Sequence, residues 1–401
     1  MLINAGVMSN PTFYQPFVST SVAVDSDYNS LQGIKKNGLS PNSYVITGTT
    51  GDAMAAPGYG ALYVGAIDGA TGSTGSGSGT WYNFSVPSTW SPRETSAYGP
   101  DILSSGSGPG GIGDIALAGT WINSSGAMLG WYYQGSISAL NGDTSGAVTT
   151  GFQQFQATTN KNKAARYTYL HSIDGGYVVG NYSTSGGPIG FALNSGPGSG
   201  SYIYNPASGA QVNLSYSDGA KYHSAFGIWE NENRTYTISG GASQATKGSY
   251  GKKVRQAVKE IRKTLPDAAF GKGMLADVDP ITGVTTNIRS YNYINETNGS
   301  VGLLTHFQGI YHMGDDVYQV PFVSVVKGGN AYAGNAYIHR LSNGKFSKNA
   351  VWQTFESTTE GVAVVATSVA GDADTGVFSN QSPYASFGST QSYFLQAQNL
   401  L

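Results

Sequence analysis

Histidines, carboxylates and one basic run are the residues of this 401-residue chain whose types and spacing could do chemistry. His171, His223 and His306 lie 2, 5 and 4 residues before Ile173, Ile228 and Ile310, three isoleucines of a recurring pattern. Imidazoles on successive strands could hold a metal or position a substrate, since histidine titrates near neutral pH and is a common metal ligand. Those unequal offsets put the rings on alternating strand faces, so a packing role for at least two of them is the simpler expectation. His312 and His339 have no partner pattern, and neither a metal nor a cofactor is expected.

Carboxylates are the other candidates, because glycosidases set a pair of them across a cleft. Asp101, Asp174, Glu230, Asp315, Asp316, Asp372 and Asp374 fall in short turns such as "IDGG", "WENENR" and "MGDDV". There Asp and Asn bond the local backbone and tolerate left-handed geometry, which accounts for them without catalysis. "GDADT" and "DVDPITG" have some calcium-ligand spacing but complete no calcium loop. "GSTGSGSG" is a flexible low-complexity run with no phosphate-binding Lys-Ser or Lys-Thr after it. With Cys absent, thiolate chemistry and disulfides are excluded.

The basic run, "GKKVRQAVKEIRKTLPDAAFGKG" at 251–273, reads as the chain's one helix. Val254, Val258, Ile261 and Leu265 make an apolar stripe, Lys252, Lys253, Arg255, Lys259, Arg262 and Lys263 fill the remaining faces, and Pro266 ends it. Over residues 244–272 eight basic residues face two acids, a balance of +6, so the rest of a chain of net charge -2 carries -8. A solvated surface helix explains this, as does an anion-attracting lid. No aromatics interleave with the charges, so nucleic-acid binding is not expected.

The elements that must position these groups are strands. Gly is 57 of 401 residues and charged residues only 11%, yet 27 Tyr, 15 Phe and 6 Trp can fill a large core, so the glycines belong to turns of a folded chain. A four-strand unit recurs at Ile34, Ile102, Ile173, Ile228, Ile310 and Val364, at a mean spacing of about 66 residues. Loop insertions stretch a propeller blade of about 40–50 residues to that length. The fold expected is all-β: a single domain over residues 1–401 forming a six-bladed β-propeller. It is closed by pairing the N-terminal segment from Thr12 with the C-terminal strands, and residues 244–272 are inserted between the second and third strands of the fourth blade. A β-sandwich pair and a β-helix are the alternatives. Hairpin signals, "DG" at Asp174-Gly175, "NSSG" at 123–126 and "SNG" at 342–344, speak against the helix.

Within this pattern the run "SIDGGYVVGNYSTSGGPIGFAL", residues 172–193, resembles the extracellular repeats called HAF, which share the order of isoleucine, polar turn, "VVG" and apolar strand. The resemblance implies a β-propeller repeat and carries no functional residue over.

No apolar run is long enough to span a membrane, and the start "MLINAGVMSN" is not a signal peptide. Low Lys and Glu with abundant Gly, Ser, Thr, Asn and Tyr suggest an extracellular or periplasmic protein that has lost its signal. A monomer is expected. On the loop-bearing face the ligand-binding candidates are the six basic residues above, His223 and His306, and Trp90, Tyr98, Tyr59 and Tyr384, whose rings could stack on sugars. The expectation is a non-catalytic binding protein for a polysaccharide or a partner protein. The alternative is a hydrolase or lyase acting on an acidic glycan, with His223 or His306 as base and the basic run neutralising the substrate.

Overall fold

The computed structural model describes residues 15–16, 29–38, 43–50, 58–66, 79–140, 142–184, 198–220, 222–243, 271–294, 299, 301–326, 331–355, 363–371, 373–379 and 390–396. They form a β-propeller. Consecutive strands pair antiparallel as four-stranded meanders, which rules out the β-helix, and the helices among the described residues are three short 3-10 turns. The first sheet is Asn29–Lys36, Ser43–Thr50, Tyr59–Ala66 and Gly79–Phe84. The second is Pro92–Ile102, Asp114–Asn123, Met128–Ser136 and Phe152–Phe155. The third is Tyr167–Asp174, Tyr177–Ser183, Ser199–Asn205 and Ala210–Asn213.

Tyr222–Glu230, Tyr236–Ser243, Gly271–Val278 and Thr285–Tyr291 make the fourth sheet. In the fifth the inner strand is broken into Gly302–Phe307 and Tyr311–Gly314, followed by Val317–Val326, Ala331–His339 and Val351–Phe355. The sixth is Ala363–Val369, Ala373–Ser379 and Thr390–Gln396, and the N-terminal Gln15–Pro16 pairs with its last strand at Phe394 and Tyr393. The Ile34 N–H donates to Ser368 Oγ at 3.2 Å, tying the first sheet to the sixth.

The cores lie between sheets, as alternation along each strand requires, since every strand shows one set of side chains to each neighbour. Val45, Leu62 and Phe84 pack on Leu117, Trp131 and Tyr133 between the first two sheets. Ala118 and Tyr132 meet Leu170 and Val178 in the next layer, and Val179 and Ile203 meet Ile228 and Ile238 in the one after. Leu275 and Tyr291 meet Phe307 and Phe322 between the fourth and fifth.

A bulge repeats on the innermost strands, and it sets the true repeat register. The extra residue is Gln32, Tyr98, His171, Phe226 and Thr367 in the first, second, third, fourth and sixth sheets. Each is followed by a small residue, Gly33, Gly99, Ser172, Gly227 or Ser368, because neighbouring backbones crowd there. A Cβ on Gly99 would stand 2.8 Å from the His171 carbonyl oxygen, and one on Gly227 2.7 Å from the Gly309 carbonyl carbon. The residue after the small one is Ile34, Pro100, Ile173, Ile228 or Val369, so Pro100 and Val369, not Ile102 and Val364, are the equivalents of the repeat isoleucines. The sequence pattern missed them because the bulge shifts the register and Pro100 is not an isoleucine.

Candidate active site

The innermost strands begin on one face, called upper here, and end on the lower face. Bulge geometry turns residues 94, 96 and 98 of the second sheet, and 224 and 226 of the fourth, towards the following sheet and the central channel. The rings form a chain around it. Tyr98 stacks on His171 at 5.2 Å and 11°, His171 meets Phe226 at 4.5 Å, and Phe226 meets His306 edge-on at 4.4 Å.

His171 and His306 form the floor beneath the upper mouth. Both are buried. A His171 Nδ1 contact of 2.8 Å to the Phe226 carbonyl makes that nitrogen the donor. His306 lies 2.9 Å from Ser224 Oγ through Nε2 and 2.9 Å from Gln308 Nε2 through Nδ1. Burial lowers the His171 pKa to about 4, and burial together with the charge of His171 lowers that of His306 to about 3. Both rings are neutral at physiological pH.

His223 pairs with Ala242 in register and so turns towards the third sheet. Its Nε2 is 2.8 Å from Asp218 Oδ1 and its ring stacks at 3.8 Å on Tyr216. The three histidines therefore split: two line the channel and the third lies between sheets.

Above the floor stands Glu94, a residue that the sequence reading passed over. Its position, two residues before Ser96 and four before the bulged Tyr98, is the signal that could have found it. Ser96 Oγ donates to Glu94 Oε1 at 3.0 Å. Burial pushes the Glu94 carboxyl above the ordinary carboxylate range, outweighing the Ser96 hydrogen bond and the Arg93 charge. Tyr98 accepts a hydrogen bond from Thr120 Oγ1 at 3.2 Å, and burial raises its phenol to about 12, so it stays protonated. The half-buried Tyr169 ring stands 6.3 Å from that of Tyr98. Tyr59, also half-buried, follows Gly58, which bridges to Glu94. A carboxyl shifted towards its protonated form beside the Tyr98 ring can act as a general acid on a ligand bound there.

Trp90 packs against Trp121 at 5.5 Å and Phe152 at 6.3 Å, at the edge of the first interior layer. Lys252, Lys253, Arg255, Lys259, Arg262, Lys263 and Tyr384, and with them the expected helix, lie outside the described residues. The stem of that insertion is described: Ser243 pairs with both Tyr222 and Gly271, so the chain leaves and rejoins the fourth sheet at the upper face.

The turn carboxylates gather at the lower face. Lys35 Nζ is 3.1 Å from Asp101 Oδ1 and 2.5 Å from Asp174 Oδ1, and 5.7 Å from the centre of the Trp229 ring, so one side chain links four sheets. Burial works against its charge, but the two carboxylates outweigh it and raise the Lys35 pKa. Asp174 Oδ2 also accepts the Glu230 N–H at 2.6 Å. For Asp101 and Asp174, local turn chemistry is not the explanation; they close the lower mouth as an ionic clamp. Asp315 and Asp316 do sit in a left-handed turn, at φ 47° and 58°.

No protein-family model matches this chain, and neither does any curated protein. Among solved structures it is similar to an α-L-arabinofuranosidase from Fusarium graminearum, with 11% identity over 91% of this chain and 93% of that one and a TM-score of 0.44. The GH43_1 enzyme from Xanthomonas citri complexed with xylose matches at 12% identity over 84% of this chain and 93% of its own, with a TM-score of 0.38. The polysaccharide lyase Uly1 matches at 9% identity over 91% and 89%, also at 0.38. Likeness at this level carries no site residue across. All three carry the names of glycan-acting enzymes, which goes against the expectation of a binding protein without turnover.

Proposed function

We propose that this chain is an exported enzyme that cleaves an acidic glycan, by hydrolysis or by elimination, at the upper mouth of its channel. The observation that carries the reading is Glu94, a half-buried carboxyl beside Tyr98 whose setting shifts it towards its protonated form. Both reactions must place a proton on the departing glycosidic oxygen, and Glu94 is the group suited to donate it. Hydrolysis adds water to the anomeric carbon. Elimination instead passes the proton next to a uronate carboxyl to water and leaves a double bond. Tyr98 and Tyr59, with Tyr384, would stack on sugar faces, and Lys252, Lys253, Arg255, Lys259, Arg262 and Lys263 would neutralise substrate carboxylates. His306 and His171 support the mouth from below, and the HAF-like run of the third sheet is part of the same extracellular reading.

The test is a panel of uronate-containing and neutral glycans assayed for new reducing ends, with ultraviolet absorbance reporting the unsaturated product of elimination. Turnover of an acidic glycan is expected, with a loss of about 10²–10⁴ in kcat for Glu94→Gln. Activity should fall as pH rises through the raised Glu94 pKa, since the acid form is the active one. An inert wild type across the panel, or a fully active Glu94→Gln variant, would discard the reading.

A further inference from the structure

Glu94 is held from two sides, and the two contacts leave its oxygens with different tasks. Gly58 of the first sheet bridges to Glu94, and its carbonyl accepts the Thr95 N–H at 2.9 Å, which ties the start of the second sheet's inner strand to its neighbour. A Cβ on Gly58 would stand 3.0 Å from Glu94 Cγ, so the glycine leaves a slot for the stem of the carboxyl side chain. Ser96 meets the head of that side chain. It lies two residues further along, hence on the same side of the strand, and its Oγ is 3.0 Å from Glu94 Oε1.

Which of the two groups donates follows from the surroundings of Ser96. Its side chain is buried, and its hydroxyl makes no other hydrogen bond among the described residues. The Ser96 carbonyl accepts the Trp131 indole N–H at 3.1 Å, which anchors the residue, and the Tyr98 phenol nearby already accepts the Thr120 hydroxyl at 3.2 Å. A buried hydroxyl proton left without an acceptor is costly, so that of Ser96 is directed at Oε1. An oxygen that accepts this bond is not the one that carries the acid proton, which therefore sits on Oε2. When Glu94 gives its proton up, the bond from Ser96 strengthens, because hydrogen bonds to an ionised acceptor are roughly twice as strong as neutral ones. Arg93, exposed on the same strand, is the charged neighbour that acts on Glu94, and Tyr98 is the titratable one.

We infer that Ser96 is the positioning residue of the acid: by donating to Oε1 it places the proton on Oε2 and steadies the carboxylate left behind. This deepens the catalytic reading of the upper mouth and rests on it. In the step, the electrons of the Oε2–H bond stay on Glu94. The glycosidic oxygen takes the proton and keeps the electron pair of the C–O bond that breaks. The experiment titrates Glu94 itself by carbon NMR, in the full chain with glutamate isotopically labelled at its side-chain carboxyl, the Glu94 signal being the one lost in Glu94→Gln. Ser96→Ala removes a bond that favours the anion, so its Glu94 titration should move to higher pH, whereas Ser96→Thr, which keeps the hydroxyl, should stay near wild type. A move to lower pH would mean that Ser96 accepts the acid proton, and no move that it does neither; either result overturns the inference. On an acidic glycan the alkaline limb of kcat should follow the titration upwards in Ser96→Ala, and kcat on the acid plateau should fall about tenfold at unchanged KM. A chain that turns over no glycan discards the catalytic reading, and the titration still decides whether Ser96 orients the carboxyl.

Discussion

The two mouths of the channel hold carboxylates at opposite ends of the same strands and give them different partners. At the lower mouth Asp101 and Asp174 close on Lys35 at 3.1 and 2.5 Å. At the upper mouth Glu94 receives the Ser96 hydroxyl instead, and burial raises its pKa. Burial raises the Asp101 pKa as well, against the pull of Lys35, but a carboxylate bound to that ammonium is tied to its neighbours and is part of the scaffold. A half-buried carboxyl without such a clamp is shifted towards its protonated form and is left to meet a ligand. A carboxyl pKa raised by burial is therefore not the mark of function here; the absence of a clamping ammonium is.

That contrast can be broken at either end. The largest expected effect is the loss of turnover in Glu94→Gln, about 10²–10⁴, with thermal stability close to wild type. Lys35→Met should do the reverse. It strands two buried carboxylates and should cost about 3–5 kcal/mol in denaturant unfolding, while any activity measured on the folded fraction persists. Adding Asp101→Asn and Asp174→Asn to Lys35→Met should recover much of that loss. If the triple variant were no more stable than Lys35→Met, the clamp would not be electrostatic. The contribution of Lys35 should hold below its unfolded pKa of about 10.4 and fade as pH rises through the raised folded value.

The histidine floor sharpens the comparison through pH. His171 and His306 titrate at about 4 and about 3 in the folded chain, against roughly 6.5 unfolded. The unfolded chain thus binds more protons in between, so stability is full above the unfolded value and falls as pH drops towards the folded ones. The slope is about 1.4 kcal/mol per pH unit for each ring. His171→Phe should flatten acid unfolding monitored by tryptophan fluorescence, and an unchanged acid midpoint would contradict the neutral buried ring.

Smaller still is the cost of Gly99→Ala, about 1–3 kcal/mol, because its Cβ would press on the His171 carbonyl at 2.8 Å. A melting temperature equal to wild type would show that the sheets do not crowd at the bulge. Least of all, Glu232→Gln with Asp316→Asn should shift stability by no more than about 0.5 kcal/mol per site, since exposed positions away from packing contribute little.

Much of the architecture was legible in the chain. Glycine and aromatic content announced turns and a large core, and the recurrence of strand, polar turn and apolar strand announced blades, because a sheet's period-two alternation and its turn residues are local properties. The site was much less so. Glu94 sits in "PRETSAY" with nothing nearby to mark it, and Asp101 and Asp174 looked like turn residues because their partner, Lys35, is far away in sequence. The bulges were invisible as well, and they decide which face His171, His223 and His306 show. The sequence by itself determined an all-β repeat chain with its charge segregated into one insertion. Only the tertiary structure decided which carboxyl is clamped and which is left to meet a ligand, since that depends on burial and on cations brought in by other sheets, both of which are non-local.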